Sequence, residues 1–349
     1  MTFHHMLLRV AGWAPDELVS LARDWLGRGH QVEVAQTVTY VALANRIPVT
    51  PEDAEGLRAA LSDAGLDTDV LADLDLVEAV GMPCFAMAPM FPGRVAEMPY
   101  TLDLTSEAAQ HDAVDEFDRA IMTEASSDAG GGPPVVGLWR TWRSPAVPTP
   151  WPPPRRLYLV QAAPDGQEEL PNLAAGLQRA LAGAGEDSPQ VEAFVHVDDL
   201  PPYQRTALGC SALLWTADPA PAVRIAEAFD RVDQAGGPGF ATSRPTLDGR
   251  ERDYVLAYLE AGSHLLTTTA LMDDVVEESR HGVVPMSFRT DGQWIWTDAA
   301  AYYLRNYGLA PDPQLLDHIR ARRFEMSPVD AVARHRALAA LQTQTPDDW

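Results

Sequence analysis

Apolar positions along this chain fall into two periodicities. Over residues 15–26, Leu18, Leu21, Ala22, Trp25 and Leu26 recur at helical spacing, with Pro15 suited to a first turn and Gly27 and Gly29 to a stop, which predicts an amphipathic helix. Thr50, Pro51 and Asp53 open a second helix that ends near Ala64 and Gly65, and residues 106–123 read as a third. Short runs rich in Val, Thr and other apolar residues read as strands at 6–10, at 31–44 (one long or two short) and at 84–87. That order suggests a small α+β sandwich of ferredoxin-like type over residues 1–125.

Farther along, strands are predicted at 157–162, 191–197 and 212–216, with helices at 171–181 and 203–208 between them. Asp218 with Pro219 then reads as the start of a helix running to about Val232. Strands alternating with helices at this spacing imply βαβ units on a parallel sheet, so the expected fold class is α/β. Between the two halves, residues 126–154 read SSDAGGGPPVVGLWRTWRSPAVPTPWPPP, too rich in Gly and Pro for a helix or a central strand. This stretch is expected to be a linker between domains 1–125 and 155–349. Its Trp139, Trp142 and Trp151 predict that it lies against one or both of them.

The strongest local pattern is SFRTDGQWIWT at 287–297. Asp291-Gly292 reads as a two-residue hairpin turn, and counting outward pairs Thr290 with Gln293, Arg289 with Trp294, Phe288 with Ile295 and Ser287 with Trp296. Phe288 and Ile295 then share one face, and Arg289, Trp294 and Trp296 the other. A helix carrying Tyr302, Tyr303 and Leu304 follows and stops at Gly308, and two more helices are predicted near 314–322 and 329–341. The tryptophan face allows two readings: core covered by the terminal helices, or an open docking platform of Trp and Arg.

The run SFRTDGQWIWTDAAAYYLRNYGLAPDPQLLDHI resembles the C-terminal part of uncharacterised actinobacterial proteins, a group that can include immunity-type partners of polymorphic toxins. The resemblance covers roughly a tenth of the chain and carries no catalytic motif. What it implies is a domain type, not an activity.

Composition narrows the chemistry. All 26 basic residues are arginine, so Schiff-base, P-loop and kinase-type lysine chemistry is closed to this chain. Fifty Asp and Glu set the net charge at -24. Residues 51–128 hold eighteen acids against three arginines, a balance of -15, whereas residues 1–50 are neutral. Such a field opposes nucleic acid and anionic membranes and speeds association with a basic partner; its simplest alternative meaning is solubility alone. The N-terminus shows no signal-peptide pattern and no run reaches the length of a membrane span, which predicts a cytoplasmic protein. Cys84 and Cys210 sit in apolar contexts and read as buried thiols.

Searches for catalytic patterns stay thin. Gly236-Gly237-Pro238-Gly239 does not join a strand to a helix, no G-x-S-x-G elbow occurs, and the nine histidines form no ligand-spaced pair. Neither a cofactor nor a metal is therefore expected. The leading expectation is a non-enzymatic, immunity-type inhibitor that captures a basic toxin through Asp67, Asp69, Asp73, Asp75, Asp112, Asp115 and Glu116, with Arg289, Trp294 and Trp296 as anchors. The alternatives are a structural or scaffolding protein, and an enzyme or ligand sensor with a site at the strand ends near Ala163, Asp198 and Asp218.

Overall fold

The first four elements are helices, two of them where strands were predicted at 6–10 and 31–44, while the strand predicted at 84–87 is present at 85–88. The helices are α1 (Phe3–Val10), α2 (Asp16–Gly27), α3 (Gln31–Asn45) and α4 (Pro51–Asp63). In α3 the buried positions are Val34, Ala35, Val38, Thr39, Val41 and Ala42, a helical stripe whose packing outweighs the β-propensity of its residues. Thr50 caps α4 by accepting from the Asp53 N–H at 3.1 Å. Helix α2 turns Val19, Ala22, Arg23 and Leu26 inward and leaves Leu21 exposed, so its predicted face is rotated.

The computed structural model describes residues 3–343, apart from 93–98, 107, 108, 110–112, 128–131, 148–151, 220, 221 and 234–236. The chain forms two units, Met1–Pro219 and Ala220–Trp349, in a mixed α/β fold. After α4 the first unit continues with β1 (Phe85–Ala88), β2 (Leu102–Asp103), α5 (Glu116–Ala125), β3 (Val135–Pro145), β4 (Arg155–Ala162), α6 (Leu170–Gly183), β5 (Val191–Phe194), α7 (Pro202–Gly209) and β6 (Ala212–Thr216). The strand order is β2-β6-β3-β4-β5, with β1 also pairing with β3.

The β4–α6–β5 unit is parallel as predicted, but β3 runs antiparallel to β1, β4 and β6, so the sheet is mixed. This overturns the linker assigned to residues 126–154. Its Gly and Pro flank the run VVGLWRTWRSP, whose apolar and β-branched residues make the 11-residue β3, central to the sheet. Trp139 is fully buried in that strand, Trp142 is half-buried, and Trp151 lies outside the described residues.

Alternation along β3 and β4 gives the sheet two covered faces. Leu138, Arg140, Tyr158, Val160 and Ala162 share one with α5 and α6, while Trp139, Thr141, Arg143, Leu157 and Leu159 share the other, which meets the N-terminal helices and α7. Helices α2 and α6 touch closely at Gly27, where a Cβ would lie 2.5 Å from that of Ala175. At the edge strand β5, His4 Nε2 donates to the Ala193 carbonyl at 2.7 Å and occupies an acceptor that another chain could use.

In the second unit the helix predicted from Pro219 to Val232 is absent; the residues form β7 (Arg224–Ile225) and β8 (Arg231–Asp233), the latter paired with β9 (Gly237–Gly239). Phe229 between them packs its ring on Phe240 and Tyr303. Next come α8 (Gly249–Ala261), β10 (Ser263–Leu266), β11 (Leu271–Met272), β12 (Val284–Pro285), β13 (Phe288–Thr290), β14 (Trp294–Thr297), α9 (Asp298–Tyr307), α10 (Pro313–Ala321) and α11 (Ala331–Gln342). A four-stranded sheet runs β10-β13-β14-β7.

The hairpin exists with a different register: Thr290 pairs with Ile295, Arg289 with Trp296 and Phe288 with Thr297. Only Gly292 takes positive φ, and the Asp291 carboxylate pins the turn by accepting from the Gln293 and Trp294 N–H groups and from the Tyr258 hydroxyl. A shift of two residues keeps the parity, so the predicted sharing of faces survives.

Candidate functional site

Residues 63–82 form a surface that is acidic and apolar at once. A parallel bridge holds it to the chain before α4, with the Val49 N–H donating to Asp75 O and the Val77 N–H to Val49 O, each at 3.0 Å. Leu71, Leu74 and Val80 point inward as buried anchors. Around them Asp63, Asp67, Asp69, Asp73, Asp75 and Glu78 are exposed, and none is ion-paired among the described residues. Leu66, Val70, Leu76 and Met82 are exposed in the same stretch, Leu76 by 52%. Exposed charged side chains need no partner in water, and the apolar side chains beside them add contact area to the same stretch of chain.

The other predicted acids behave differently. Asp115 caps α5 by accepting from the Phe117 and Asp118 N–H groups, and it pairs with Arg156 at 2.9 Å. Arg156 in turn lies over the rings of Phe117 and Trp142, at 4.3 and 4.8 Å from their centroids. Asp115 is thus spent on structure, Glu116 is exposed beside it, and Asp112 lies outside the described residues.

The predicted anchors belong to the second unit and are not open. Trp296 is 1% exposed, donates its indole N–H to Leu259 O at 3.1 Å and fills the space that Gly262 leaves, where a Cβ would sit 2.3 Å from the ring. Trp294 is 6% exposed and packs on His318, with Arg224 over its ring. Arg289 is held by Asp298 at 2.5 Å and by the Glu260 and Gly262 carbonyls. Helices α8 and α10 cover this face, because two indoles are too large and apolar to leave in water, and the docking-platform reading falls.

Sequence reasoning missed a set of buried charges. Arg140 pairs with Asp118 and donates to the Ala113 and Pro89 carbonyls, and Tyr158 donates to the second Asp118 oxygen at 2.8 Å. On the opposite face Arg23 pairs with Glu192 at 2.5 Å, Gln204 donates to the same carboxylate oxygen at 3.3 Å, and Arg143 joins Asp16 to the Tyr203 hydroxyl. Burial pushes the Asp118 and Glu192 carboxyls up despite their arginines, and lifts Tyr203 to about 12; burial also drives His4 down to about 4. Perturbed groups of this kind can serve catalysis, but here each is occupied by a protein partner. The partners lie up to 169 residues apart, so no local motif announces them.

Open clefts of about 380 and 370 Å³ indent the first unit, one beside Arg143 and Arg155 and one between the end of α5 and α6. Ala163, Asp198 and Asp218 line neither. Cys84 is exposed, contrary to its apolar sequence context, and Cys210 is half-buried; both thiols are free. Among the described residues no three His, Cys, Asp or Glu side chains gather to hold a metal, and no helix is long and apolar enough to cross a membrane. No family model, curated protein or solved structure matches the chain.

Proposed function

We propose that this chain is a binding factor for a basic protein, acting as an immunity-type neutraliser of a cationic toxin. The observation that carries the reading is the 63–82 surface, six carboxylates without an ion pair among the described residues, set among four exposed apolar side chains. Complementary charge accelerates encounter, and the apolar groups supply the area that holds the complex once it forms. The buried tryptophans take no part, so the recognition surface is smaller than the sequence suggested and lies within the first unit.

A pull-down from the native host, followed by association kinetics across a salt series, tests this. The expected partner has a basic surface, and its association rate falls at least about tenfold between low and high salt. Replacing Asp67, Asp69, Asp73 and Asp75 together by Asn removes most of that dependence. A rate insensitive to salt, or unchanged in the fourfold variant, overturns the reading.

A further inference from the structure

The carboxyl end of β3 opens into the 380 Å³ cleft, a volume within the range of small-molecule sites. Two guanidiniums stand at it on neighbouring strands, because the register pairs Arg143 with Arg155. Like charges directly opposite on a sheet oppose pairing unless a counter-charge sits between them. Asp16 supplies one for Arg143. Among the described residues Arg155 has only Glu17 at 3.6 Å, too far for a hydrogen bond.

Much of the hydrogen-bonding capacity at this cleft is unspent. Among the described residues Arg143 uses two of its N–H groups, on Asp16 and Tyr203, out of the five a guanidinium carries, and its side chain is nine-tenths buried, stacked 4.5 Å from the Phe85 centroid. Asp16 spends one carboxylate oxygen on Arg143 and keeps the other. Glu17 is 62% exposed, and Trp13 presents part of its ring at the rim while its indole N–H is anchored on Gly81 O at 3.2 Å. The lining therefore offers free donors, free acceptors and two aromatic walls, with two positive and two negative side chains in balance.

We propose that this cleft binds a free zwitterionic small molecule of amino-acid size. Its carboxylate lies between Arg155 and the spare N–H groups of Arg143, its ammonium meets Glu17 and the free oxygen of Asp16, and its side chain rests against Trp13 and Phe85. A simple anion satisfies only the guanidiniums and meets the two carboxylates as like charges, whereas a zwitterion answers both. The site uses none of the carboxylates of the acidic 63–82 surface and touches that stretch only where Trp13 donates to Gly81 O among the described residues.

The test is titration of the full chain with the common amino acids at millimolar concentration, read by calorimetry and by the Trp13 indole resonance. Saturable binding of at least one is expected, weakened about tenfold or more when either its amine is acetylated or its carboxylate amidated. Arg155→Ala is expected to lose the same factor, and Glu17→Gln to weaken the free amino acid without affecting its N-acetyl form. Both residues stand at the rim; should either variant fail to fold, the blocked derivatives on the unaltered chain decide alone. No saturable binding of any amino acid, equal binding of the blocked forms, or equal binding of acetate overturns the proposal.

Discussion

Arginine and carboxylate meet in the β3–β4 region and keep apart over residues 63–82, although both lie in the same unit. Against the sheet, Asp118 of α5 and Glu192 of β5 are buried and each has an arginine within bonding distance. On the surface, Asp67, Asp69, Asp73 and Asp75 are exposed and unpaired. The same functional group is thus a structural strut in one place and a source of long-range field in the other. Desolvation makes the difference, because a buried carboxylate cannot be left alone and an exposed one can.

Removing one member of a buried pair should break this contrast hardest. Asp118→Ala leaves the Arg140 guanidinium charged in the core, and denaturant unfolding is expected to show a loss of about 3–5 kcal/mol. Replacing both Asp118 and Arg140 by apolar residues should recover a large part of that loss, since the cost is the stranded charge and not the missing attraction.

Acid should expose a second buried group. His4 is held neutral, its folded value near 4 below the ordinary 6.5. Its contribution is complete above about pH 6.5 and is lost as the pH falls toward 4, amounting to about 3 kcal/mol at most. Asp118 and Glu192, raised by burial, act in the opposite sense, their contribution fading as the pH rises through their folded values. In thermal melts from pH 7 to 4, the parent chain should therefore lose stability relative to His4→Gln, and the difference between the two is the His4 contribution.

Arg156→Ala removes a cation from between two rings together with the Asp115 pair at a partly exposed site, and a loss of about 1–2 kcal/mol is expected in the same unfolding assay. The smallest effect sharpens the comparison from the other side. Changing Asp67, Asp69, Asp73 and Asp75 to Asn should alter unfolding by no more than about 0.5 kcal/mol per site, in the stabilising direction at low salt, while changing partner kinetics strongly.

How far these regions could be read from sequence follows the same division. The exposed acids were legible because a run without any basic residue needs no partner to be recognised. The β4 to β6 segment was legible because its apolar runs alternate with helical ones between clear Pro and Gly stops. β3 was hidden by the Gly and Pro on either side of it, and α3 by β-branched residues whose helical stripe only packing makes decisive. In the hairpin the DG turn was visible, yet the register was set by Asp291, whose side chain takes two backbone N–H groups within its own turn. The buried pairs could not be found at all, because nothing near Arg23 points to Glu192. The Trp294 and Trp296 face was assigned correctly as a face, but its covering by α8 and α10 depends on contacts tens of residues away in either direction.

The span between Arg23 and Glu192 bears on how the protein is made. Arg23 leaves the ribosome 169 residues ahead of the carboxylate that neutralises it, and β2 precedes its parallel neighbour β6 by more than a hundred. The N-terminal helices can pack on one another early, but Arg23 cannot meet Glu192, nor β6 pair with β2 and β3, until most of this unit has been made. Folding of this unit is expected to depend on late, long-range pairing, and chains arrested before residue 192 should be cleaved by protease in the N-terminal helices faster than the full chain.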